Sequence, residues 1–255
     1  MPPTVAYGFA RMGAATLAAI LAVTAHAQGG PPLVTDDPDT PGSGNWEINA
    51  AIIAAKHQQH WDLAAPDLDI NYGWGEHVQL KVDLNWATAD SEQGRRNSGF
   101  GATDIGVKWR FVDQEKSGFA MSVYPQLLTN FSPSSAARGL TSNNREFLLP
   151  VEMATEFGEF KFDAEAGRNF IQRMPDAWVA GVIVAHACGP NLECGFELHG
   201  VLTERELEPL VNFGVHWQFA KHVILLAAAG REFRSSAENP QGLLFYLGFQ
   251  LLSES

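Results

Sequence analysis

The chain has 255 residues, 45% of them hydrophobic and 18% charged, and a formal net charge of −12 from 29 acidic and 17 basic residues. That is material for one large core or one closed sheet, so a single domain is expected. The acidic balance repels phosphate backbones and leaves no basic stripe, which excludes nucleic acid as a partner.

Arg11, the apolar run Met12 to Thr24 and the small residues around Ala25-His26-Ala27 follow in the order of a secretory signal peptide. The run is shorter than the roughly 20 residues of a spanning anchor, and no later stretch reaches about 18 consecutive apolar residues. Residues 1–27 are therefore read as a cleaved signal and 28–44 as a Pro/Gly/Asp-rich periplasmic lead. Residues 45–255 are read as one barrel domain.

After the lead, apolar residues recur at every second position, the period of a two-faced strand. Val78, Leu80, Val82, Leu84 and Trp86 alternate with Gln79, Lys81, Asp83 and Asn85. Ile105, Val107, Trp109 and Phe111 alternate with Asp104, Gly106, Lys108 and Arg110, and Phe160, Phe162, Ala164 and Ala166 with Lys161, Asp163, Glu165 and Gly167. Further strands are expected at Asn45 to Lys56, Leu63 to Tyr72, Gly118 to Asn130, Arg145 to Glu156, Ala177 to Ala187, Leu192 to Leu202, Leu210 to Phe219, Val223 to Phe233 and Leu243 to Leu252. That makes about twelve, most near the roughly 9 to 11 residues that a tilted strand needs to cross a bilayer.

The links alternate in length. Tight turns are expected at Gly73-Trp74-Gly75, Gln114-Glu115-Lys116, Phe157-Gly158-Glu159, Gly189-Pro190-Asn191 and Ala220-Lys221. Longer polar links lie at His57 to Asp62, Ala87 to Phe100, Phe131 to Asn144, Asn169 to Asp176, Thr203 to Pro209 and Arg234 to Gly242. Short periplasmic turns, longer outer loops and an even strand count describe an all-β, antiparallel up-and-down transmembrane β-barrel of the outer membrane. A soluble sandwich has no reason to keep every second link short. The seven tryptophans, mostly near strand ends, suit the interfacial girdles of such a barrel.

Four segments carry a family resemblance: PPLVTDDPDTPGSGNWEIN (Pro31 to Asn49), DINYGWGEHVQLKVDLNW (Asp69 to Trp86), GATDIGVKWRF (Gly101 to Phe111) and YPQLLTNFSPSSAARGL (Tyr124 to Leu140). They resemble the bacterial outer-membrane proteins named for the meta-pathway of phenol degradation. The resemblance implies a transporter-like outer-membrane barrel and brings no catalytic residues. Such barrels often finish on an aromatic residue read by the assembly machinery. This chain instead runs past Phe249 to Leu252-Ser253-Glu254-Ser255.

Lys81, Asp83, Asp104, Lys108, Arg110, Lys161, Asp163, Glu165 and Glu197 fall on the polar phase of their strands and are expected to face the lumen, as are Glu47, Asp69, Glu152 and Glu193. Packing of a narrow interior and lining of an acid-biased conduit are both open to them. The lead, rich in Pro and Asp, is unsuited to the sheet and is expected to tuck into the periplasmic mouth as a partial plug. Cys188 and Cys194 flank a hairpin tip and would be oxidised after export, so a turn-stapling disulfide is expected. His57-Gln58-Gln59-His60 lacks a third ligand nearby, and the spacing of Asp36, Asp37 and Asp39 is not that of a calcium loop, so neither metal nor other cofactor is expected.

The leading expectation is a barrel that lets small hydrophobic or aromatic solutes cross, with the solute class resting on the resemblance. Its partners are outer-membrane lipid, the assembly machinery and that solute. The alternative is a closed structural or interaction barrel without transport. An embedded hydrolase built from Ser122, Asp163 and one of His186, His199 or His216 is the outsider, because nothing in their spacing singles them out. A non-enzyme is expected.

Overall fold

The computed structural model describes residues 30–57, 60–90, 95–204, 206–233 and 241–253. The expected signal segment 1–27 lies outside the described residues. Thirteen strand segments form one sheet: β1 (Trp46–His57), β2 (His60–Trp74), β3 (Val78–Asp90), β4 (Arg96–Val112), β5 (Phe119–Val123), β6 (Gln126–Thr129), β7 (Glu146–Phe157), β8 (Phe160–Ile171), β9 (Ala177–Gly189), β10 (Leu192–Leu202), β11 (Leu207–Ala220), β12 (Val223–Phe233) and β13 (Gln241–Leu252). Two helical turns, α1 (Gln114–Ser117) and α2 (Pro133–Ala137), sit in links.

Each strand pairs antiparallel with its sequence neighbour, and β13 pairs with β1 from Glu47↔Leu252 to Lys56↔Leu243, which closes the sheet. Segments β5 and β6 both lie between β4 and β7, so thirteen segments make twelve staves. The break falls at Tyr124-Pro125, where proline has no N–H to give the ladder. The chain still bridges the gap, because Tyr124 N–H donates to Pro150 O and Val107 N–H to Pro125 O. The single expected strand Gly118 to Asn130 is therefore two segments in one lane.

The expected alternation of link lengths holds only in part: the β1–β2 link, expected long, shrinks to 58–59, the β4–β5 link, expected tight, runs over 113–118 and holds α1, and strand bounds differ from the expectation at the long-link mouth. His57 and His60 are paired, leaving only 58–59 between β1 and β2, and β3 and β4 run on to pair Asp90 with Arg96. These stretches look like loops in sequence because the strands rise out of the apolar layer into water, where both faces turn polar while the ladder continues. The link between β6 and β7, with α2 in it, stays long.

Burial is inverted relative to a soluble protein. Val82, Leu84, Ile105, Val151, Val182, Leu198 and Leu247 are exposed on the outer wall. Trp46, Trp74, Trp109, Phe160, Trp217 and Phe249 ring the short-turn end, and Trp61, Trp86, Phe100, Phe147, Trp178 and Phe233 ring the other. An aliphatic band between two aromatic girdles suits a bilayer slab and would be an aggregation liability in water. Inside, the buried set is polar, including Asn49, Asp69, Lys81, Lys108, Glu152, Glu197 and Asn212. An apolar patch, Ala51, Ile53, Leu226 and Tyr246, interrupts it on β1, β12 and β13.

Candidate functional site

The lead does not stay at the rim. Leu33, Val34, Thr35, Asp36 and Pro38 are all buried, and their partners are wall residues of strands on opposite sides of the barrel. On β10, the Glu197 carboxylate is fully buried, accepts Val34 N–H at 3.0 Å and also accepts Thr35 N–H. Asn212 on β11 donates to the same carboxylate at 3.1 Å. On β8, Glu165 accepts Asp36 N–H at 3.3 Å and lies 3.4 Å from His199 Nε2. Across the lumen on β4, Lys108 Nζ reaches the Asp36 carboxylate at 3.0 Å and Glu152 of β7 at 3.5 Å, and it also donates to Asp37 O. Nearer the short-turn mouth, Arg110 pairs with Asp39 at 3.2 Å and donates to Glu76 O at 2.9 Å.

The wall is shaped to receive this segment. A side-chain carbon on Gly181 would collide with Thr35 Oγ1, and one on Gly214 would fall 2.8 Å from Leu33 Cδ2. Glycine at these two inward positions thus makes the room that the lead occupies. Leu33 packs on Ile183 and Ala185 of β9, an apolar seat in a polar lumen.

Beside the lead lies a cavity of about 300 Å³. Its lining includes Asp37, Glu47, Asp69, Lys81, Lys108, Tyr124, Asp163 and Glu193. Lys108 stacks over the Tyr124 ring at 4.7 Å, and Gln79 links Tyr124 to Asn71. Asp37 belongs to the lead and not to a spanning strand. Burial pushes its carboxyl up from 3.8 to about 6 against the pull of Lys108, with Asp36 and Asp39 adding to the rise.

The residues singled out in sequence divide into three groups. Lys81, Asp104, Lys108, Glu165 and Glu197 are buried. Lys81 pairs with Asp104 at 3.5 Å, while Lys108, Glu165 and Glu197 converge on the lead. Asp83 and Asp163 are half-buried, Asp83 standing directly between Asp69 and Asp104 in the cross-strand register. Arg110 and Lys161 sit nearer the short-turn mouth, Lys161 paired with Glu193 at 2.6 Å. Cys188 and Cys194 are disulfide-bonded across the β9–β10 hairpin. The full hydrolase grouping does not assemble: Asp163 and His216 share the cavity lining, but Ser122 is not in it and its Oγ donates to Glu152, while His199 faces Glu165 and His186 faces Glu159.

Sequence reasoning placed the lead at the mouth, and it missed that Asp36 and the backbone of Val34 and Thr35 reach mid-lumen. It also missed Tyr124 as a lumen residue, although Ala120, Ser122, Tyr124 and Gln126 keep one inward phase across the break. The signal was there in the alternation and was hidden by the aromatic side chain.

No protein-family profile and no curated protein sequence matches the chain. Solved structures do. The barrel superposes on an outer-membrane channel from Pseudomonas putida F1 with a TM-score of 0.68 at 9% identity, covering 85% of this chain and 98% of that one. The fold is that of outer-membrane channel barrels. A KdgM porin in complex with disordered oligogalacturonate gives a TM-score of 0.58 at 11% identity, over 82% of this chain and 99% of that one. The CymD monoaromatic hydrocarbon channel gives 0.50 at 10% identity, over 84% and 90%. At these identities the likeness speaks for the barrel and leaves the chemistry of the lumen to this chain's own residues.

Proposed function

We propose that this protein is an outer-membrane barrel, exported by a cleaved signal peptide, that lets small solutes cross through a lumen narrowed by its own leading segment. The observation that carries the reading is the 300 Å³ cavity between wall and lead. A barrel whose interior served only as filler has no need of a polar space that size. The lead is fixed by hydrogen bonds, ion pairs and one leucine seat, contacts that can be broken and remade.

Small hydrophobic or aromatic solutes are the class we assign. The resemblance to the proteins named for phenol degradation supports it, as does the likeness to a barrel described as a monoaromatic hydrocarbon channel. Leu33, Ile183 and Ala185 in the cavity lining give such a solute something apolar to touch. No catalytic role is assigned.

The second reading, a closed structural barrel, is favoured by one specific observation: Glu197, Lys108 and Glu165 are satisfied by the lead itself, as they would be in a permanently filled lumen. Liposome uptake of benzyl alcohol and of a sugar of similar size separates the two. Uptake faster than in protein-free vesicles, strongest for the aromatic solute, supports passage. Rates equal to protein-free vesicles for both solutes support the closed barrel.

A further inference from the structure

The carboxylates lining the cavity outnumber its cations. Asp36 is matched by Lys108, Asp39 by Arg110 and Glu193 by Lys161. Lys81 pairs directly with Asp104, whose carboxylate lies outside the lining, and is also within electrostatic reach of Asp69. Among the described residues no ion pair engages the four remaining lining acids, Asp37, Glu47, Asp69 and Asp163. They come from three places, the lead, β1–β2 and β8, so carboxyl groups surround the space. Asp37 on the lead lines the same cavity as Glu47 on one wall and Asp163 on the other.

One of the four supplies an independent sign of a missing partner. Asp69 is 4% exposed, its Oδ2 accepts from Asn49, and its Oδ1 has no hydrogen-bond partner among the described residues. A buried carboxylate oxygen is costly to leave without a donor or a cation beside it. The same cavity has an apolar side formed by Leu33, Ile183 and Ala185. Among the described residues no three His, Cys, Asp or Glu side chains converge as the ligands of a metal ion would. The carboxylates are spread to meet something broader than a bare metal.

We infer that the cavity is a binding site for a small organic ammonium ion, its charged end among Asp37, Glu47, Asp69 and Asp163 and its apolar body against Leu33, Ile183 and Ala185. This deepens the passage reading by adding positive charge to the preferred solute, and it rests on that reading only for the movement of the ion, not for its binding.

The test is calorimetric titration of the folded, detergent-solubilised full chain with benzylammonium, benzyl alcohol and magnesium chloride, alongside liposome uptake of the first two. The expected result is saturable binding of benzylammonium, no detectable binding of benzyl alcohol, and affinity reduced at least tenfold in Asp69→Asn and in Asp163→Asn. Each variant is first checked for the heat-dependent gel shift of a closed barrel, and Asp90→Asn at the opposite mouth serves as a charge-matched control with unchanged affinity. Equal binding of the alcohol and the ammonium, binding of magnesium without the ammonium, or unchanged affinity in both folded variants overturns the inference. Ammonium binding without uptake of either solute sustains the site and removes the passage reading. Uptake of benzyl alcohol without ammonium binding does the reverse.

Discussion

Lys108 of the wall holds Asp36 of the leading segment at 3.0 Å, seventy-two positions earlier in the chain, while the same ammonium lies 3.5 Å from Glu152 on a third element. One cation with 2% of its side chain exposed therefore ties the plug to two staves. Removing it leaves two buried carboxylates facing each other. Lys108→Met is expected to weaken the folded barrel by about 3–5 kcal/mol, the usual cost of breaking a buried pair from one side. Urea unfolding in detergent, followed by tryptophan fluorescence, measures it. The double variant Lys108→Met with Glu152→Gln should recover part of the loss.

Glu197 binds the lead through the backbone of Val34 and Thr35, with no counter-cation among the described residues. Glu197→Gln keeps the shape and removes the charge that strengthens those bonds. About 1.5–3 kcal/mol of lead docking should be lost. Hydrogen exchange at Val34 and Thr35 is expected to speed up while exchange in the staves far from Glu197 stays unchanged.

Gly181 tests the seat by volume. Gly181→Val places carbon where Thr35 Oγ1 sits, so the lead must leave while the staves, paired through their backbones, remain. The expected outcome is a normal heat-dependent gel shift together with a lead that is newly open to a protease. The smaller change Thr35→Ala in the same chain should partly restore protection.

Asp37 sets the pH response. Its carboxyl titrates at about 6 in the docked lead against an ordinary 3.8, so docking favours the protonated form. Docking is unpenalised below about pH 4, loses stability as pH rises from there to about 6, and stays at the weaker level above. Protection of the lead should therefore fall between pH 4 and 6. In Asp37→Asn this step should be absent.

The barrel was legible because its two signals are periodic and redundant. Alternation in Val78 to Trp86 and in Ile105 to Phe111 assigns faces without any tertiary knowledge, and link lengths assign ends. Inward residues followed from the phase, with Lys108, Glu165 and Glu197 on the expected side. What they touch did not follow, because the partner segment is aperiodic. Nothing local in Pro31 to Pro38 states that its backbone N–H groups will find Glu197 and Glu165 more than a hundred positions away. Glycines at 181 and 214 marked the seat, yet in sequence they look like any strand glycine. Tyr124 was lost for a related reason: Pro125 broke the strand, and an aromatic residue on the polar phase is intelligible only once Lys108 is seen over its ring.

The central claim is a solute-passing barrel narrowed by its own lead, and single-channel recording of the refolded protein in a planar bilayer tests it most directly. The chain starting at residue 28 is compared with the same chain lacking residues 31–42, both first shown to give the gel shift of a closed barrel. The account expects small conductance steps from the first and larger, stable steps from the second. Identical traces from the two proteins, or silence from both, would contradict it.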